Sequence, residues 1–266
     1  MTFSGFDLTG RIAMVTGGTS GLGRAIATGM AMAGASVIVG SRDDKKVQDT
    51  LKELDAISES HSGLALDVSD PESIHSVFHF IQESRGRLDI LVNAAGTIQK
   101  KDPLDLNLEE WEKVLRVNLT GTFLCCQAAA RIMKENKGGS ILNITSLTSF
   151  TGFSEVTAYG VSKAGVTQLT QSLANDWAQY DIRVNAIAPG VFPTSLNRSL
   201  LEGSPRGEWL RKHTALERFG EVNEIAGAAI YLCSPSASFT TGEILVVDGG
   251  FMARGVGPMH RKLQQW

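Results

Sequence analysis

Short, continuously apolar runs alternate along the chain with longer stretches whose apolar residues recur every three or four positions. The first run, residues 12–15, passes without a gap into T-G-G-T-S-G-L-G at 16–23. It continues into A-I-A-T-G-M-A-M-A, small and apolar enough to pack a helix closely on a sheet. Gly34 marks the end of that helix. Further strands are predicted at 36–40, 64–66, 88–92, 140–145, 183–187 and 244–247. Between them, 43–58 carries Val47, Leu51, Leu54 and Ile57 at helical spacing, and a helix opened by Pro71 presents Ile74, Val77, Phe78 and Ile81. Residues 109–134, 154–179 and 221–232 are predicted as helices, and 189–215 as an irregular insertion. Strands without polar alternation belong to a sheet covered on both faces, and regular strand–helix alternation makes that sheet parallel. No linker divides the 266 residues, so the expectation is a single doubly wound α/β domain.

Composition narrows the partners. The net charge is −3, from 25 Lys+Arg against 28 Asp+Glu, with no basic block, so no nucleic acid is expected. No apolar run is long enough to span a bilayer, and the first ten residues do not read as a signal peptide, so no membrane is expected. Cys125, Cys126 and Cys233 are an odd set in apolar surroundings, which suits a reducing compartment and a cytoplasmic protein.

Candidate chemistry gathers at the ends of the predicted strands. A strand, a glycine turn and a helix point backbone N–H groups and a helix N-terminus at a pyrophosphate. The spacing here is G-x-x-x-G-x-G, from Gly17, Gly21 and Gly23, rather than G-x-G-x-x-G. Tyr159 and Lys163 stand four apart, on one helix face. A tyrosine hydroxyl has a pKa near ~10, too high for a base at neutral pH, and an ammonium beside it would lower that value. Ser146 follows the strand at 140–145, where its hydroxyl can bond a reacting oxygen, although position alone leaves Thr145, Thr148 and Ser149 as alternatives. Asn118, polar between Val117 and Leu119, is either a helix irregularity or the holder of a proton-relaying water. His75 and His79 lack a third ligand at suitable spacing, so no metal is expected. No G-x-S-x-G elbow is present, which excludes that class of hydrolase.

Over essentially its full length the chain resembles the short-chain dehydrogenase/reductase family. The resemblance rests on T-G-G-T-S-G-L-G at 16–23, Asp67-Val68, N-A-A-G at 93–96, Asn118, Ser146, Y-G-V-S-K at 159–163, P-G at 189–190 and D-G-G at 248–250. It implies a Rossmann-type sheet of about seven strands, ordered 3-2-1-4-5-6-7, and a catalytic tetrad of Asn118, Ser146, Tyr159 and Lys163. Cofactor contacts are implied for Gly17, Thr19, Ser20, Gly21, Leu22 and Gly23. Asp67 and Val68 would flank the adenine. Asn93, Ala94 and Gly96 would form the floor, with Ala94 replacing the family's second asparagine. Pro189, Gly190 and Thr194 would sit near the nicotinamide, beside Tyr159 and Lys163.

The resemblance also frames cofactor, substrate and assembly. NAD-specific members usually carry an acid at the end of the second strand, whereas this chain has Ser41 and Arg42, with Asp43 one place later. Arg42 can pair with a 2′-phosphate, so NADP is expected ahead of NAD. Residues 190–215 form the expected substrate lid and carry Arg198, Arg206, Arg211, Lys212 and His213. The lid and the segment after it are similar to members acting on sugar acids, such as gluconate 5-dehydrogenase and 2-deoxygluconate 3-dehydrogenase. The expected substrate is therefore a small sugar acid or polyol, contacted by Ser146, Thr148, Phe153, Tyr159 and Arg198. The alternatives are a 3-oxoacyl-carrier-protein reductase and a non-catalytic cofactor-binding scaffold. Family members are commonly homotetramers built on the long helices and the last strand.

Overall fold

The computed structural model describes residues 4–58, 60–195 and 197–254. Seven strands form one parallel sheet: β1 (Ile12–Thr16), β2 (Ser36–Ser41), β3 (Ser62–Ala65), β4 (Ile90–Asn93), β5 (Gly139–Ile144), β6 (Ile182–Pro189) and β7 (Ile244–Val247). Their order is β3-β2-β1-β4-β5-β6-β7, as expected from the resemblance. The chain winds outward in both directions from the β1–β4 pair, where Thr16 lies beside Asn93. At such a reversal the connections after neighbouring strands diverge and leave a crevice at the C-terminal edge of the sheet.

Continuous apolar strands follow from the two covered faces. Val15, Val39 and Val92 point into one layer, with Ile26 and Met30 of α1 (Gly21–Met32) and, beyond the sheet's other half, Ile225 and Leu232 of a later helix. Their neighbours Met14, Ile38 and Leu91 point the other way, toward Phe78 and Ile81 of α3 (Pro71–Arg85). All of these side chains are buried, so alternation changes which layer a residue meets and not whether it meets water. Between these helices, α2 (Asp44–Asp55) covers β2 and β3 and is capped by Asp43, whose carboxylate accepts from Lys46 N–H at 3.1 Å.

Three expectations are corrected. The long helix predicted at 109–134 is two helices, α4 (Leu108–Leu115) and α5 (Gly121–Glu135), joined by a π turn at Arg116–Thr120 that contains Asn118. After α6 (Thr157–Trp177), the irregular insertion proves to hold α7 (Arg198–Leu201) and α8 (Pro205–His213). The helix predicted from 221 begins later, as α9 (Glu224–Cys233). Strand edges shift by a few residues, β3 earlier and β4 later than predicted. The three cysteines are buried and free, and burial pushes Cys125 and Cys233 up to about 12, so they are thiols that fill the core. Among the described residues no helix is long and apolar enough to cross a membrane. Trp266 lies outside the described residues.

Candidate active site

A cleft of about 560 Å³ opens at the C-terminal edge of the sheet. One end is built by the turn after β1. Gly17 has φ +65°, and a Cβ there would stand 2.8 Å from the backbone of Ala95, so only glycine lets the turn and the N-A-A-G segment approach this closely. The N-terminus of α1 has no side-chain cap and no acid in its first turn, leaving its N–H groups to face an anion. Thr194 lies across the cleft against Gly21, 3.1 Å from where a Cβ would be. A polar wall of backbone donors with no room for side chains fits a dinucleotide pyrophosphate.

At the outer end, Ser41, Arg42, Asp67 and Val68 line the cleft. Burial pushes the Asp67 carboxyl up, but hydrogen bonds from the Ser69 hydroxyl and N–H, together with the Arg42 guanidinium, outweigh it and hold the group below the usual carboxylate range. Asp43 is committed elsewhere. Besides capping α2 it pairs with Lys46 Nζ at 3.6 Å, so its carboxylate serves the helix rather than the cleft.

At the inner end, Ser146 leaves β5 as the cap of a short 3₁₀ turn and accepts from Thr148 N–H at 3.2 Å. Tyr159 and Lys163, one turn apart on α6, face the same space. Lys163 is only 5% exposed; its Nζ donates to Ile144 O at 2.7 Å and lies 5.8 Å from the Tyr159 ring centre. Burial lowers Lys163 to about 8. Burial also raises the Tyr159 hydroxyl above its ordinary value of 10.0, and hydrogen bonding to Ser146 opposes the rise. The expected lowering of the tyrosine by its lysine is therefore not what this geometry gives, because Nζ is turned to a backbone carbonyl and desolvation dominates.

A family model described as Enoyl-(Acyl carrier protein) reductase matches residues 17–252. The chain is 39% identical over 249 residues to the 2-dehydro-3-deoxy-D-gluconate 5-dehydrogenase of Bacillus subtilis (strain 168), covering 94% of this chain and 97% of that one. The chain belongs to the short-chain dehydrogenase/reductase family. The 3-oxoacyl-acyl-carrier-protein reductase of Aquifex aeolicus (strain VF5) is 38% identical over 244 residues, covering 91% of this chain and 98% of that one. Among solved structures, a gluconate 5-dehydrogenase from Burkholderia cenocepacia J2315 in complex with NADP and tartrate superposes with a TM-score of 0.91. It is 34% identical, with 95% of this chain and 99% of that one covered. Membership makes this chain an NAD(P)-dependent oxidoreductase.

Against the expectations for a short-chain dehydrogenase/reductase, the cleft gathers Ser146, Tyr159 and Lys163 with every expected cofactor residue except Asn93. Asn93 shares a strand face with Leu91, so its side chain enters the core and donates to Asn143 Oδ1 at 2.9 Å instead of forming the floor. Asn118 is fully buried behind the cleft. Its amide clamps both backbone groups of Thr97, at 2.8 and 2.9 Å, and donates to the Ser162 hydroxyl at 3.0 Å, which makes it a positioning residue. Three expected substrate residues do not line the cleft. Thr148 packs on α6 at Gly160, Phe153 stacks on Phe251, and Arg198 faces outward, 3.5 Å from Glu202. Sequence reasoning missed the lining residues Thr97, Lys113, Val117, Ser195 and Asn197. Val117 and Lys113 were accessible as the positions one residue and just over one helical turn before Asn118.

Proposed function

We propose that this chain oxidises a secondary alcohol of a sugar acid or polyol, or reduces the matching ketone, with NADP(H) preferred to NAD(H). The observation that carries the reading is the convergence of Ser146, Tyr159 and Lys163 in one cleft with the glycine turn. The nicotinamide cofactor, when bound, accepts or supplies the hydride. In oxidation, Tyr159 acts as its phenolate, a form that the Lys163 ammonium and the positive charge of a bound oxidised nicotinamide would favour relative to the cofactor-free state. Its Oη takes the substrate's hydroxyl proton while the carbinol hydrogen leaves as hydride, and the carbon–oxygen bond becomes a carbonyl. In reduction the same hydroxyl returns the proton. Ser146 holds the reacting oxygen in line with Tyr159, and Lys163 holds charge beneath the pair and would bond the nicotinamide ribose.

Preference for NADP rests on the outer end of the cleft. Arg42 and Ser41 are available to a 2′-phosphate, while the nearby acid Asp43 is held as a helix cap. The sugar-acid reading takes its support from relatives named for that chemistry. The segment 190–215 would serve as the substrate lid, and its first part contributes Gly190, Phe192, Thr194, Ser195 and Asn197 to the cleft. Exposed Leu104, Leu108, Phe123 and Val161 around the long helices, and Phe239 and Val246 near β7, support a homotetramer; light scattering at monomer mass would count against it. Buried free thiols suit the cytoplasm. The deciding experiment is a turnover panel of gluconate, 2-deoxygluconate, polyols and simple secondary alcohols with NADP⁺ and NAD⁺, beside NADPH with 5-ketogluconate and an acetoacetyl thioester. Sugar-acid or polyol turnover above the rest is expected, and efficient thioester reduction alone would overturn the substrate assignment.

A further inference from the structure

Two cations meet over a single carboxylate, Glu155, just ahead of α6, the helix that carries Tyr159. Lys100, on the loop after β4, lies 3.1 Å from Glu155, and Arg206, from the first turn of α8, lies 3.7 Å from the same oxygen. Successive residues of an extended loop point to opposite sides, so Lys101 turns away to grip Glu110 while its N–H donates to Glu155 O at 2.8 Å. That bond fixes the backbone of Glu155, which has φ +65° and stands four residues before Tyr159. Arg198 and Lys212 are paired one to one with acids, whereas Lys100 and Arg206 share one, leaving a net positive charge beside the lid.

Arg206 is also out of place by the ordinary rules of helix stability. It occupies the second position of α8, where the helix dipole favours an acid, and it is only 29% exposed. Among the described residues it makes one hydrogen bond, from Nη1 to Ser154 O at 3.3 Å, and its contact with Glu155 exceeds hydrogen-bond length. Nε and Nη2 therefore remain for a planar two-oxygen partner, the arrangement at which arginine excels.

We propose that Lys100 and Arg206 form the subsite for the carboxylate end of the substrate, with Glu155 as an internal anion that occupies it until the substrate displaces it. This rests on the sugar-acid reading and deepens it, since it says which end of the substrate faces the lid and which residues select an acid over a neutral polyol.

The test is calorimetric titration of tartrate into the NADP⁺-bound enzyme, for wild type, Lys100→Gln, Arg206→Gln and Glu155→Gln, with KM measured in parallel for gluconate and for a neutral polyol. Expected are a loss of tartrate affinity of about tenfold or more in the two cation variants and a severalfold gain in Glu155→Gln. NADP⁺ affinity and KM for the polyol should stay within about twofold of wild type. Should Arg206→Gln fail to fold, Lys100→Gln and Glu155→Gln carry the same opposed predictions. Weaker tartrate binding in all three variants would make the cluster a structural latch and overturn the proposal, as would a wild type that does not bind tartrate. If tartrate binds as predicted but no sugar acid is turned over, the substrate reading fails and the subsite stands. Gluconate turnover with one KM across all four proteins does the reverse.

Discussion

Replacing Lys163 with methionine should abolish turnover and yet stabilise the cofactor-free fold. Lys163 is 5% exposed, and burial moves it from an ordinary lysine value of 10.5 to about 8. That displacement corresponds to about 3 kcal/mol against the charged form at neutral pH. Methionine fills similar volume without a charge, but it leaves Ile144 O without its 2.7 Å donor, a loss of about 1 kcal/mol. The net gain at pH 7 is about 2 kcal/mol, or about 4 °C in Tm for a chain of this size. The sign with pH follows from proton counting. Below pH 8 both folded and unfolded wild type hold the proton, and the penalty is complete. Between about 8 and 10.5 the unfolded chain keeps the proton that the folded one has lost, so wild type gains stability relative to the variant. The methionine advantage should therefore be largely gone by pH 10. Urea unfolding of both proteins without cofactor at pH 7 and pH 10 measures this. A variant less stable than wild type at pH 7, or an advantage unchanged at pH 10, would refute the reasoning.

Arg42→Ala should raise KM for NADP⁺ by about tenfold, a loss of about 1.4 kcal/mol, and leave KM for NAD⁺ within about twofold; an unchanged preference would remove Arg42 from the account. Gly17→Ala should weaken NADP⁺ binding by tenfold or more, measured by calorimetry, because the added Cβ meets the Ala95 backbone at 2.8 Å on a left-handed residue. Phenolate absorbance of cofactor-free wild type minus Tyr159→Phe should show Tyr159 ionising only above about pH 10, since burial raises it; a phenolate already present at pH 8 would contradict the desolvated geometry.

The sheet was legible because its strands are apolar on both faces, so runs such as 36–40 cannot be mistaken for half-exposed ribbons. The π turn was legible in part: Asn118, polar between Val117 and Leu119, pointed to a helix irregularity, but nothing in R-V-N-L-T says that it takes the form of an extra residue per turn. The lid helices were hidden by Gly203 and Pro205, although Ser204 before Pro205 is a helix start and Glu208 with Lys212 is an i,i+4 pair. The tetrad residues could be placed by motif, since a strand end and one helix face fix their direction. Asn93 differs from what the motif implies because strand alternation sets it on the same face as Leu91, which points into the core. The direction of Arg198 is not legible in the sequence, because a one-turn helix carries no periodic signal.

The central claim is that Tyr159 moves the proton in a hydride transfer seated on this cleft. The most direct measurement is turnover of the best sugar-acid or polyol substrate by Tyr159→Phe, alongside calorimetric NADP⁺ binding to the same protein. A loss of kcat of about a thousandfold or more, with NADP⁺ affinity within about threefold of wild type, is the predicted result. A phenylalanine variant that keeps near wild-type kcat would contradict the mechanism outright.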